Sequence, residues 1–249
     1  MDNLAAYYKN IGERFTDLPA FDSKKPKLHP RFFPSATHYC HLTKGHINFQ
    51  YVGRLEANDP ACVTFLAKTE AAFKPDIVVK FVATYGKDVH ELLAREGYAP
   101  SLHYYGAIPG LEDVPFDREF EQRRLLPLMQ MVVMDYVESS DDLPDRDSTR
   151  RQLEQVLSIM HTEGYVCGDL RRPNVLFDTS GKLKVIDFDW AGRSDADPSS
   201  HLECAHYPLN LSSDIKWARG IGDRGLILSA HDKEMMEILL QEMYPPQHL

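Results

Sequence analysis

The sequence predicts an α+β chain in which a small, antiparallel, strand-rich part precedes a mainly helical one. Three observations predict it. Short β-prone runs, Ile47 to Val52, Ala61 to Ala67 and Ile77 to Val82, follow one another closely in the first half. Two stretches with apolar residues at helical spacing, one opening near Thr149 and one at Asp232, occupy the second half. Between them lie Val175-Leu176-Phe177 and Leu183-Lys184-Val185-Ile186, joined by the turn-forming Asp178-Thr179-Ser180-Gly181, which reads as a hairpin.

At the start, Leu4, Tyr7, Tyr8, Ile11 and Phe15 recur at helical spacing, predicting an amphipathic helix over about residues 3–15. Pro19, Pro26, Pro30 and Pro34 then exclude a long helix or central strand, so residues 1–46 read as an N-terminal helix with a Pro-rich extension. His38-x-x-His41, with Cys40 inside and His46 beyond, superficially resembles a metal cluster. It has no second Cys/His pair at ligand spacing, and we read no zinc there.

Residues 47–137 hold the three strands named above. After them come a helix over Lys87 to Glu96 with Leu92 and Leu93 on its buried face, and a strand over Leu102 to Gly106. A charged excursion, Ile108 to Leu126, carries Pro109 and Pro115 and precedes a strand running from Met129 through Met134 to Val137. Residues 138–249 open on the acidic, turn-rich Glu138 to Asp147. Thr149-x-x-Gln152 has the form of a capping box for a helix carrying Leu153, Val156, Leu157 and Met160 and ending near Gly164. The last helix, Asp232 to Tyr244, carries Met235, Ile238, Leu239 and Met243 and stops at Pro245-Pro246.

A chain of 249 residues with 43% hydrophobic and 26% charged residues is ordinary for a soluble globular protein. A net charge of -9 and a pI near 5.6 argue against broad nucleic-acid or anionic-membrane binding, although Arg123-Arg124, Arg150-Arg151 and Arg171-Arg172 are local basic pairs suited to a phosphate. Cys40, Cys62, Cys167 and Cys204 are scattered without a C-x-x-C pair, which fits reduced thiols. The first residues lack a signal-peptide pattern and no apolar run reaches membrane-spanning length. We therefore expect an intracellular protein, cytoplasmic or nuclear, with neither nucleic acid nor membrane as partner.

The chemistry concentrates in Val166 to Gly192. A hairpin brings its ends together, so Asp169 and Asn174 before it and Asp187 after it should converge. The spacing of Asp169 and Asn174, followed by Asp187-Phe188, resembles the H-R-D-x-x-x-x-N catalytic loop and D-F-G metal loop of the protein-kinase superfamily. It more closely resembles the short kinase-like proteins of mushroom-forming fungi, which share a GDL-x-x-x-N loop and an IDFDWAG-type continuation.

That resemblance implies a bilobal fold, with a β-rich small lobe over residues 47–137 and an abbreviated helical large lobe over residues 138–249. It implies ATP as nucleotide and Mg²⁺ as cofactor. Asp169 would take the proton of an acceptor hydroxyl, Asn174 and Asp187 would hold Mg²⁺, and Arg171 would neutralise the transferring phosphoryl group. Lys80 in IVVKF would grip the α- and β-phosphates. Met134 would guard the back of the pocket, while the Asp135 carbonyl and Val137 N–H would bond the adenine edge. Glu91 is the best charged partner for Lys80, with His90 and Asp88 as alternatives. Asp214 and Asp232 are equal candidates for the aspartate that braces the catalytic loop.

The sequence also departs from the family pattern. Only Gly53 stands where a G-x-G-x-x-G loop would cover the phosphates, across Gly53 to Pro60. Cys167 replaces the usual His, and A-P-E is absent after the polar Arg193 to Ser200; Asp189 replaces the Gly of D-F-G, where it either adds a carboxylate near the metal or, the reading preferred here, faces solvent. Three functions follow from the resemblance: phosphoryl transfer to a protein Ser or Thr hydroxyl, transfer to a small-molecule hydroxyl as in aminoglycoside and choline kinases, or a pseudokinase scaffold without transfer.

Overall fold

Ile77-Val78-Val79 and Phe81-Val82 are β-branched or aromatic, and they build β4 (Asp76–Val82), in which every residue after Asp76 is buried. The computed structural model describes residues 36–41, 43–55, 63–70, 75–109, 129–140, 142–194 and 204–245. The expected helix over 3–15, the Pro-rich extension to residue 35, Asn58 to Pro60, Cys62, Arg123-Arg124, the excursion over 110–128 and the polar residues after Ser194 lie outside the described residues.

β4 lies inside a six-stranded antiparallel sheet of order β1-β2-β3-β4-β6-β5, made with β1 (His38–His41), β2 (Gly45–Arg54), β3 (Thr64–Thr69), β5 (Leu102–Ala107) and β6 (Gln130–Asp135). Burial on both faces explains why β4 is apolar on both faces apart from Lys80, rather than alternating. Tyr39 of the edge strand β1 is 2% exposed and its ring lies 6.2 Å from that of Tyr104 on β5, so the two ends of the sheet approach one another.

β1 corrects the expected boundary at residue 46. Tyr39 pairs with Ile47 and His41 with Gly45, so residues 38–41 belong with the sheet, ahead of that boundary. The His38 ring stacks on His46 at 4.1 Å, and His41 Nδ1 accepts the Thr43 N–H at 3.2 Å. Among the described residues, no group of three or more His, Cys, Asp and Glu is placed to hold a metal.

Three helices occur among the described residues: α1 (Lys87–Arg95), α2 (Arg146–Thr162) and α3 (Ser229–Met243). The apolar stripe expected on α2 is buried as Leu153, Val156, Leu157 and Met160, in one core with Val89 and Leu93 of α1 and Met235, Ile238 and Leu239 of α3. The expected capping box does not form. α2 starts earlier, at Arg146, where the Asp145 carboxylate accepts the Ser148 N–H at 2.9 Å. Thr149 is fully buried and bonds the Tyr244 hydroxyl at 2.7 Å, while Gln152 is used elsewhere. α3 likewise begins at Ser229, ahead of the expected Asp232. No helix among the described residues is long and apolar enough to cross a membrane.

Candidate functional site

β7 (Tyr165–Val166) leads out of α2 into the loop carrying Asp169. At Gly168 the backbone has φ +80°, a conformation that favours glycine, and a Cβ would press the end of the Ile227 side chain at 2.7 Å. The N–H groups of Cys167 and Gly168 each donate to the Asp232 carboxylate at 2.9 Å, and His161 Nε2 lies 3.2 Å from it. Asp232, 1% exposed, is therefore the brace of this loop; Asp214 is exposed.

A 3₁₀ turn, Arg172–Asn174, returns the chain to β8 (Val175–Phe177), which pairs antiparallel with β9 (Leu183–Val185) in the expected hairpin. Asp178 shapes the turn by accepting the N–H groups of Ser180 at 2.9 Å and Lys182 at 3.0 Å. Gln152 holds the hairpin to α2: its Nε2 donates to Gly181 O at 3.2 Å and its Oε1 accepts the Leu183 N–H at 2.8 Å.

Asn174 Nδ2 donates to Asp169 O at 3.0 Å and to Asp169 Oδ2 at 2.9 Å, which turns the amide oxygen the other way. The Arg171 guanidinium forks onto the same carboxylate, with Nη2 2.7 Å from Oδ2 and Nε on Oδ1, and lies over the Trp217 ring at 5.4 Å. At the other end of the hairpin the Ile186 N–H donates to Asn174 O at 2.9 Å, so Asp187 follows directly. Its backbone is in the left-handed region, φ +67°, which aspartate tolerates better than most residues.

Lys80 reaches this loop from β4. Its ammonium lies 2.8 Å from Asp187 Oδ1 and 2.7 Å from Asp189 Oδ1. Burial alone would lower the Lys80 pKa, but the two carboxylates hold it above the ordinary value. Burial would raise Asp187, and the Lys80 ammonium overrides it, holding that carboxyl below its usual range. Asp189 is pushed up to about 7, first by burial and then by the Asp187 carboxylate beside it. The solvent-facing position expected for Asp189 is thus corrected: it is the second anion on Lys80.

Glu91 is corrected as well. Its carboxylate is half exposed and lies 3.5 Å from Lys87 Nζ, one turn back along α1, and Asp88 is exposed. The helix turns His90 inward instead. That ring, fully buried, bonds the Tyr85 hydroxyl at 2.7 Å and Pro100 O at 2.8 Å and stacks on Phe188 at 4.6 Å. Burial lowers the His90 pKa to about 4.

Lys80, Asn174, Asp187 and Asp189 form the polar end of a cavity of about 360 Å³. Val63 and Val78 of the sheet side and Leu176 and Ile186 of the hairpin side are among its apolar walls, and Met134, Asp135 and Val137 also line it. The structure therefore brings the sequence-predicted Lys80, Met134, Asp135, Val137, Asn174 and Asp187 to one cavity, joins Asp169 and Arg171 to it through Asn174, and leaves Glu91 out. Sequence reading missed Asp189 as a site residue because a loop has no periodicity that reveals side-chain direction.

The Asp187 carboxylate and the Asn174 amide oxygen are hard oxygen donors. Two protein ligands suit Mg²⁺, which keeps several waters and takes substrate phosphate oxygens rather than filling an all-protein cage. In the structure Asp187 Oδ1 is engaged by the Lys80 ammonium, so a cation bound there would share that carboxylate with it. No family model matches the chain.

Proposed function

We propose that the protein is a kinase-like phosphotransferase that moves the γ-phosphate of ATP to a hydroxyl, most naturally of a protein Ser or Thr. On this reading the sheet with α1 is the small lobe, residues 138–249 form an abbreviated large lobe, and the cavity is the cleft between them. One observation carries it: the Lys80 ammonium meets Asp187 in a cavity that also contains Asn174, whose amide holds Asp169.

The apolar lining of Val63, Val78 and Leu176 suits a purine, with Met134, Asp135 and Val137 also lining the cavity. Lys80 at the polar end would bind phosphate oxygens. Mg²⁺, held by Asn174 and Asp187, would supply charge neutralisation for the phosphates. Asp169 accepts the hydrogen bond of the acceptor hydroxyl and takes its proton as the new P–O bond forms and the bond to the β,γ-bridging oxygen breaks, leaving ADP. For this the Arg171 fork releases at least one Asp169 oxygen and turns to the phosphoryl group.

Calorimetry with ATP, with and without Mg²⁺, tests the cleft. Binding should require Mg²⁺ and weaken in Asp187→Asn; a folded wild type that binds no nucleotide refutes the reading. Asp169→Asn should retain binding and lose transfer by about 10³-fold, the scale of a general base.

A second reading, a nucleotide-binding scaffold without transfer, is favoured by one observation: both oxygens of Asp169 are already engaged, by Arg171 and Asn174. It predicts Mg²⁺·ATP binding with no phosphorylation of protein mixtures or of small hydroxylated acceptors. Activity on the small molecules alone would instead identify the acceptor class.

A further inference from the structure

Lys80 is a cation whose side chain is 11% exposed, and a buried ammonium needs a carboxylate. α1 does not supply one, since Glu91 points to Lys87 and the inward position belongs to His90. Among the described residues, the only carboxylates within ion-pair distance of Lys80 are Asp187 and Asp189.

These two anions are not equivalent. Asp187 shares the cavity with Asn174, so a divalent cation binding between them recruits Asp187. Lys80 would then lose that partner while still out of water. Asp189 is held where it can keep the ammonium: its carbonyl accepts the Thr84 hydroxyl at 2.9 Å, its N–H donates to Asp187 Oδ1 at 3.2 Å, and the neighbouring Phe188 O accepts the Gly86 N–H at 2.8 Å. The two segments pack so closely that a Cβ on Gly86 would lie 2.4 Å from Ala191 O.

We infer that Asp189 is the positioning residue for Lys80 in the nucleotide-loaded site, taking the part of a carboxylate that α1 does not provide. This rests on the phosphotransferase reading. The lysine and its counter-ion then belong to a strand and the loop docked on it.

The test is a double-mutant cycle on the Kd of a non-hydrolysable ATP analogue with Mg²⁺, measured by calorimetry on the full chain. Asp189→Asn should weaken binding about tenfold, the scale of one charge-assisted hydrogen bond. In the Lys80→Met background the same change should have no further effect, because the residue acts only through the ammonium. Glu91→Gln should stay within about twofold of wild type, as an exposed pair does. Should Asp189→Asn fail to fold, Asp189→Ser serves in the same cycle.

Analogue binding by Asp189→Asn that equals or exceeds wild type overturns the assignment, since Asp189 would then be only a repelling charge. Weakening that persists in the Lys80→Met background also overturns it, and indicates a metal ligand or a structural role. A wild type that binds no nucleotide refutes the phosphotransferase reading and this assignment with it, whereas binding with additive effects removes the assignment alone.

Discussion

Asp232 and Lys80 are both charges withdrawn from water, yet one is held by backbone and the other by side chains that are themselves ions. Asp232 receives two backbone N–H groups from the loop that carries Asp169 and is 1% exposed. Those donors neither titrate nor leave without moving the chain. Lys80 is held by two carboxylates that are each about a third exposed, and one of them has a pKa of about 7. A cation or a proton can replace Lys80 there. The loop bearing Asp169 is thus built on a fixed dipolar frame, and the polar end of the cavity on exchangeable charges, which is where a charged ligand would arrive.

The sharpest way to break this comparison is Asp232→Ala. It leaves two buried N–H groups without an acceptor, at roughly 1–3 kcal/mol each, so we expect a loss of about 4 kcal/mol. For a chain of this size that corresponds to a Tm about 8–16 °C lower in thermal unfolding. A loss below 1 kcal/mol would mean that the frame is not fixed by this residue.

Next in size is the effect of pH on His90. Its pKa falls from an ordinary 6.5 to about 4 on folding, so its contribution is complete above 6.5 and is lost as pH falls toward 4. The loss approaches about 3 kcal/mol by pH 4. Asp189 works in the opposite sense: raised to about 7, its contribution is complete below its ordinary value and is lost as pH rises through 7. Unfolding free energies between pH 4 and 8 should therefore fall less steeply toward acid in His90→Gln, and decline less toward neutral pH in Asp189→Asn. Parallel curves for wild type and both variants would remove the distinction between the two groups.

The smallest effect is expected for Lys80→Met. The two carboxylates it abandons can protonate or reach water, so the cost at pH 8 should be about 1 kcal/mol and should shrink at pH 5. A cost equal to that of Asp232→Ala, and independent of pH, would show that the two charged sites are held alike.

What was legible in the sequence follows the range of the interaction that decides it. The hairpin over 175–185 and the buried stripe of α2 come from local apolar pattern and turn chemistry, and they form as expected. The convergence of Asn174 with Asp169 and Asp187 follows from that hairpin. β1 was not legible, because its only buried apolar side chain is Tyr39, between two histidines and a cysteine. The choice between His90 and Glu91 turns on one residue of helical phase, about 100°, and packing against Phe188 fixes it. The choice between Asp214 and Asp232 was decided by contacts 64 and 65 residues apart. The Thr149-x-x-Gln152 pattern failed because both side chains serve tertiary partners that no local motif reveals.

The docking of residues 84–86 on residues 188–191 bears on ligand discovery. A compound that gains room by expelling Phe188 would have to unstack it from His90 and break the Gly86 hydrogen bond, and movement of the adjoining Asp189 backbone would also break the Thr84 bond. At roughly 1 kcal/mol per hydrogen bond and about as much for the ring pair, that is near a hundredfold in affinity before any new contact forms. Chemical matter for this cavity should therefore be selected for the pocket with Phe188 in place, and library hits that need it displaced should be rare.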